Sequence, residues 1–263
     1  MICLTGDVHH RSYRGADTRY ARESEAQLAL RYCDIAARYH IKVTLFVTGQ
    51  ACLEERDTVA ELGRRAHCEI GGHTFCAFRS WRHWLSRKLG GSILGPASLQ
   101  RRDIDRTIAA IEETAGIRIT AWRNHAYKRD ASTYPLLGER GIRIVSDRVS
   151  GVEGAMERIS QELVSLPINT LPDHEHLLHG KYLPAHTKPH RLAGRKTIQE
   201  WRKTVMQQVE AIEEHDGIAT ILAHPLCMEI ADGMKEFKAL CRFLARFQTG
   251  WVSEALQNYT RVF

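Results

Sequence analysis

The chain has 263 residues, 43% of them hydrophobic and 26% charged, enough to bury one large core, and α/β barrels of this size fold as a single domain. Its formal net charge of +6 suits an anionic partner, such as a phosphorylated or nucleotide-linked small molecule. Nucleic acid is the weaker expectation, since aromatics are not interleaved with the basic residues as base stacking requires, and no apolar run approaches the roughly 18 residues of a membrane span.

The seven cysteines (Cys3, Cys33, Cys52, Cys68, Cys76, Cys227, Cys241) are odd in number and include no C-x-x-C pair, which suits reduced thiols in a cytoplasm. Met1 leads directly into an apolar run, with no basic stretch or small-residue cleavage site of a secretory signal, and this fits the same compartment.

Residues 1–4 read as a buried strand that ends in Gly6, Asp7, His9 and His10. A polar, basic loop follows at 11–20. Ser24 and Gln27 then form a capping-box pattern, and Ala26, Ala29, Cys33 and Ala36 share one helical face. Residues 41–48 alternate β-branched and aromatic side chains as a second strand, closed by Gly49. Residues 58–65 are a short helix, and 68–72 a third strand that delivers His73. This β-loop-α-β-α-β order predicts a parallel sheet with crossover helices.

Residues 75–98 break the rhythm. Phe75, Phe78, Trp81 and Trp84 sit among Arg79, Arg82, Arg87 and Lys88, as in an insertion that covers a pocket, forms an interface between copies, or packs on the body as a surface loop. Ile104, Ile108 and Ile111 mark the next helix. Residues 117–122 form a strand ending at Arg123, Asn124 and His125; 134–140 a helix; and 142–145 a strand ending at Asp147. Residues 166–190 hold His174, His176, His179, His186 and His190. They read as a solvated loop in preference to a second metal site, because no pair has clean zinc-motif spacing. An amphipathic helix (197–214), a strand (217–222) delivering His224, a helix (234–247) and a sheet-closing Trp251-Val252 complete one domain over 1–263.

Polar groups of catalytic type thus recur at successive strand ends: Asp7 with His9 and His10, then His73, Arg123 and His224. Solvated polar residues would not recur so regularly on a chain of alternating β and α elements.

These residues resemble the polysaccharide deacetylase family, the group with chitooligosaccharide deacetylase homology called carbohydrate esterase family four. Glu69-Ile70-Gly71-Gly72-His73-Thr74 is similar to its His-Ser/Thr motif, and Trp122-Arg123-Asn124-His125 to its arginine motif. The strand after that motif and the final histidine motif find their likeness in 141–147 and in Ile221-Leu222-Ala223-His224. The resemblance covers nearly the whole chain. Two motifs depart from the pattern. Val8 stands where the usual Thr-Phe-Asp-Asp has its second, metal-binding Asp. The stretch is closer to the Asp-Val-Asp form of the branch that deformylates a lipid-linked aminoarabinose, which Leu166 to Pro172 also resembles. The family's second metal His, four residues after the first, is Ala77 here, leaving His10, His83, His125 or water to complete the ligands.

The resemblance implies a distorted (β/α) barrel of about seven parallel strands and metal-dependent hydrolysis of an N-acyl group, acetyl or formyl, on an amino sugar or its conjugate. It implies a divalent metal, foremost zinc (Zn), with Co, Ni or Mn as other candidates. His9 and His73 would be ligands, with His10 as a further candidate. Asp7 would be the general base or, alternatively, a ligand; Arg123 would hold its carboxylate, and His224 would be the general acid. The expected substrate is small or carrier-linked and anionic, and the exposed aromatics at 75–84 would allow a homodimer. Two other readings stand beside this one: another C–N amidohydrolase on the same fold, acting for instance on cyclic ureides, and a catalytically silent carbohydrate-binding relative.

Overall fold

The computed structural model describes residues 1–183 and 187–260, the last three by backbone alone; His186 lies outside the described residues. The first half of the chain forms β1 (Ile2–Val8), α1 (Glu25–Ala37), β2 (Val43–Val47), α2 (Gly49–Glu54), α3 (Arg56–Arg64) and β3 (Cys68–Gly72), then α4 (Trp81–Gly90), α5 (Ala97–Ala115) and β4 (Ala121–Trp122). The second half forms α6 (Thr133–Gly138), β5 (Ile144–Val145), β6 (Glu157–Arg158), β7 (Val164–Ser165), α7 (Asp173–His176) and α8 (Ile198–Glu213). It closes with β8 (Ala219–Leu222), α9 (Pro225–Asp232), α10 (Lys235–Leu244) and α11 (Val252–Thr260).

Among the described residues seven strands run parallel in the spatial order β7-β5-β4-β3-β2-β1-β8, and β6 pairs antiparallel with β7 at one edge. This is the mixed α/β, curled sheet of a distorted (β/α) barrel, with the expected number of parallel strands. All seven residues of β1 are buried, as a strand covered on both faces requires. Alternation divides them. Ile2, Leu4 and Val8 face outward into the main core shared with Tyr32, Trp201 and Phe237. Cys3 faces the barrel interior, where it packs with Phe46, Ala121, Ile144 and Leu166 against Val252 and Ala255 of α11. The same period places Thr5 and Asp7 above that apolar floor.

Several boundaries differ from the sequence expectation. β1 runs four residues further than expected, so Asp7 lies within the strand rather than past its end. β4 and β5 are two residues each, because only their last residues find ladder partners. Residues 251–252 do not close the sheet: Val252 begins α11, and Thr249 makes the parallel bridge to Ile2 instead. Residues 166–190 are not a solvated loop, since Asp173 and His179 are fully buried. The 75–98 stretch folds around α4, whose Trp81 and Trp84 are exposed while His83 turns inward.

The barrel seam is closed by side chains. Asn169 Nδ2 donates to Ile218 O at 2.9 Å, and its Oδ1 accepts from Thr220 N–H at 2.8 Å, so one amide imitates a ladder rung along the open edge of β8. Thr170 Oγ1 adds a bond to Thr220 O at 3.1 Å. Asn169→Ala strips partners from three backbone groups, Ile218 O, Thr220 N–H and, at 3.0 Å, Gly154 O, and each buried group left unsatisfied costs roughly 1–3 kcal/mol. The expected loss of about 2–4 kcal/mol would appear as a lower urea midpoint with an unchanged m-value.

Candidate active site and metal centre

The carboxyl ends of the parallel strands converge on one rim, where barrels of this kind gather their polar side chains. β1 brings Asp7 and then His9; β3 is followed by His73, β4 by Arg123 and β8 by His224. Gly71 and Gly72 at the end of β3 admit close neighbours: a Cβ at Gly71 would lie 2.7 Å from the Phe46 ring, and one at Gly72 2.3 Å from Trp122. Phe46 then lies under the Arg123 guanidinium, whose Cζ is 4.3 Å from the ring centroid.

Arg123 is fully buried and fully engaged. Its Nη1 donates to Asp7 Oδ1 at 3.0 Å, its Nη2 to Thr5 Oγ1 at 3.0 Å and Ser146 Oγ at 2.8 Å, and its Nε to Ser146 O at 2.5 Å. Burial alone would raise the Asp7 carboxyl. The Arg123 charge, with the hydrogen bond and charge of His224, outweighs it and holds that carboxyl well below the usual range. Asp7 is therefore a carboxylate throughout the neutral range.

Three imidazoles face one another beside it. His9 Nε2 lies 3.0 Å from His125 Nδ1, and His125 Nδ1 lies 3.3 Å from His73 Nε2. The second nitrogens of two of these rings are already committed. His9 Nδ1 donates to Glu25 Oε2 at 2.9 Å, and His73 Nδ1 to the Arg123 carbonyl at 2.9 Å. Both Nε2 atoms consequently present lone pairs to His125, and one proton on His125 Nδ1 can satisfy only one of them. A divalent cation satisfies all three. Zn–N bonds of about 2.0–2.1 Å in tetrahedral array place ligand nitrogens roughly 3.3 Å apart, near the separations seen. Burial pushes His73 down to about 4, against the pull of Asp7, and pushes His125 well below its ordinary value, so both rings are neutral as ligation requires. The residues present fit a zinc-type ion.

His125 enters this cluster because the chain turns sharply after it. Ala126 (φ +52°) and Tyr127 (φ +57°) are left-handed, as are Thr74, Ala77 and Phe78 after His73. Such conformations are costly for residues with a Cβ and gather at functional sites. Among the expected candidates His10 does not join the cluster. Its ring faces Thr48 Oγ1 at 3.4 Å and lines a neighbouring cavity with Gln50 and Phe75. His83 instead lies near Cys76 and Asp103.

On the other side of Asp7, His224 Nε2 is 3.4 Å from Asp7 Oδ2. His224 Nδ1 is 2.7 Å from Asp173 Oδ1, while Asp173 Oδ2 accepts the His224 backbone N–H at 2.6 Å. Burial would lower this imidazole, but the Asp173 charge and hydrogen bond carry it well above its ordinary value. It is protonated at neutral pH. Asp173 and Glu25, which orient the two ends of the site, were missed in the sequence. Glu25 was hidden in a helix cap and Asp173 in a His-rich stretch, and the only signal was that each is an acid in the first turn of a helix.

A cavity of about 370 Å³ opens over these groups, lined by Asp7, His9, Tyr13, His125, Tyr127 and His224. Tyr13 stacks on His9 with centroids 4.4 Å apart. A second cavity of about 410 Å³ adjoins it through Tyr13 and Arg79 and carries Arg14 and Arg106. Among the described residues none of these three arginines forms an ion pair.

The fold is a distorted (β/α) barrel with titratable side chains gathered at one rim. Residues 21–145 match the family model for polysaccharide deacetylase. The fold is similar to that of a protein from Mycobacterium smegmatis named for polysaccharide deacetylase (17% identity, TM-score 0.73, covering 99% of this chain and 90% of that one). It is similar also to one so named from Pseudomonas aeruginosa PAO1 (12%, 0.67, 95% and 87%) and to PuuE allantoinase (10%, 0.68, 95% and 86%). No curated protein matches the chain in sequence. Over residues 21–145 the chain is similar in sequence to the polysaccharide deacetylase family, and these solved structures share its fold.

Glu25 sits behind His9 and not on the converging nitrogens. Groups in that position typically tune metal affinity about 10–100-fold. Glu25→Gln is expected to weaken zinc binding by about that factor while the circular dichroism spectrum is unchanged, as a chelator-competition titration would measure.

Proposed function

We propose that the chain is a metal-dependent hydrolase that removes an acetyl or formyl group from the nitrogen of an amino sugar or sugar conjugate. The observation that carries this reading is Asp7, ionised by Arg123 and set between the facing imidazoles of His9, His73 and His125 and the charged ring of His224. An amide needs help at both ends: a base for the incoming water and an acid for the departing amine.

His9, His73 and His125 would hold a divalent cation, zinc foremost. When bound, such an ion supplies Lewis acidity toward the amide carbonyl and the attacking water. Asp7 takes the proton from that water, and Arg123 keeps its carboxylate charged and aimed. His224 gives a proton to the leaving nitrogen, with Asp173 fixing the ring and its charge. Glu25 and the Arg123 carbonyl hold the two ligand rings in one tautomer.

The cavity of about 370 Å³ suits one sugar and its acyl group, and the adjoining arginines suit a negative charge on the remainder. We assign the substrate to the anionic amino-sugar conjugates. Seven free, buried cysteines favour a reducing compartment and therefore a cytoplasmic substrate.

The test is acyl release from a panel of N-acetyl and N-formyl amino-sugar phosphates by zinc-loaded protein. Acetate or formate release supports the proposal. Ring opening of a cyclic ureide without acyl release would move the chain to the other C–N amidohydrolases, and metal-loaded protein inert to both would be a silent binder. Asp7→Asn is expected to lower kcat roughly 10²–10⁴-fold with metal content unchanged; loss of the metal would instead make Asp7 a ligand. Arg79→Ala is expected to raise KM for a phosphorylated substrate about tenfold, with kcat nearly constant and the effect shrinking in high salt.

A further inference from the structure

A second set of metal-type donors lies across His224 from the first, and the proposed reaction uses none of them. His174, His179 and Cys227 each offer one ligand atom, and these atoms all lie within 4.8 Å of one another. His174 Nδ1 is 3.7 Å from Cys227 Sγ and 4.0 Å from Asp17 Oδ2. His179 is fully buried, and neither of its ring nitrogens has a hydrogen-bond partner. Asp17 Oδ2 is buried without one as well, although Asp17 as a whole is only 2% exposed. Each such orphan costs roughly 1–3 kcal/mol, and two that both neighbour the His174 ring point to an unseen occupant.

The backbone is shaped around this spot. Gly180 is left-handed at φ +48°, and a Cβ there would fall 2.1 Å from Asp17 Oδ1. Only glycine lets the segment come close enough for the Lys181 N–H to reach that oxygen at 2.7 Å. One carboxylate oxygen is thereby anchored, and the other is left free toward the histidines.

We propose that His174, His179, Cys227 and Asp17 form a second, zinc-type cation site, structural in character, that clamps residues 173–183 to α9 and to the loop after β1. Two nitrogens, one sulfur and one carboxylate oxygen are a tetrahedral zinc donor set. Zn–S and Zn–N bonds of about 2.3 and 2.0–2.1 Å imply an S-to-N separation of roughly 3.6 Å, close to the 3.7 Å seen between Cys227 and His174. The charges balance: one thiolate and one carboxylate neutralise a divalent ion, so it adds no net charge beside the protonated His224. Ligation displaces the Cys227 thiol proton, which is released to solvent. His174 is half-exposed and gives the ion its way in.

Cobalt(II) tests this, because the first centre has no sulfur ligand. Cobalt(II) chloride is added to the full-length, metal-free chain, and bound metal and near-ultraviolet absorption are recorded. A thiolate-to-cobalt charge-transfer band is expected, lost in Cys227→Ser and kept in His73→Ala. His174→Gln, at a half-exposed position where folding tolerates change, should weaken the band-forming site by about tenfold or more. Absence of the band in the folded wild-type chain, or its persistence in Cys227→Ser, would overturn the proposal. An inactive protein that still shows the band would count against the deacylase reading alone.

Discussion

The buried pair of Asp7 and Arg123 is the constraint on which the rest of the molecule depends. Two charges taken out of water are costly, and they persist in a barrel only when every polar atom is answered. Arg123 meets that condition from β4 by reaching β1 through Asp7 and Thr5, the end of β5 through Ser146, and the face of Phe46 on β2. Four strands are thereby fixed at one height. The carboxylate they carry is left with one oxygen for Arg123 and the other turned toward His73 and His224.

Around that pair each imidazole is set by a group behind it. Glu25 holds His9, a backbone carbonyl holds His73, and Asp173 holds His224. The chemical difference between the two sides follows from what stands behind each ring. A carbonyl and deep burial leave His73 neutral, whereas a buried carboxylate charges His224. Two rings on either side of one carboxylate thus acquire opposite proton states with no change of residue type.

The fold was legible where the chain repeats itself. β1, β2 and β3 are apolar runs between turn signals, and their partners lie in register along most of their length. β4 and β5 were placed but drawn too long, since ladder pairing depends on neighbours the sequence does not display. The seam at Asn169 left no trace in any pattern. Within the site, Asp7, His73, Arg123 and His224 stood out as polar residues ending apolar runs. His9 and His10 could have been separated by alternation, which carries 3, 5, 7 and 9 to the interior and leaves 10 outside. His125 was only one of several options, because its approach depends on a left-handed turn at Ala126 and Tyr127, residues with no preference for it. Asp173 and His179 were lost in a polar stretch whose burial is decided by α9 and the loop after β1.

The side-chain seam has a consequence for how the molecule becomes competent. Asn169 and Thr170 meet β8 at Ile218 and Thr220, and a few residues further along the same two segments Asp173 meets His224. Shutting the last gap in the wall and arming the proton donor are therefore a single event. A chain with that gap ajar would keep the three facing imidazoles from the other strands, yet its final histidine would stand without the acid that charges it.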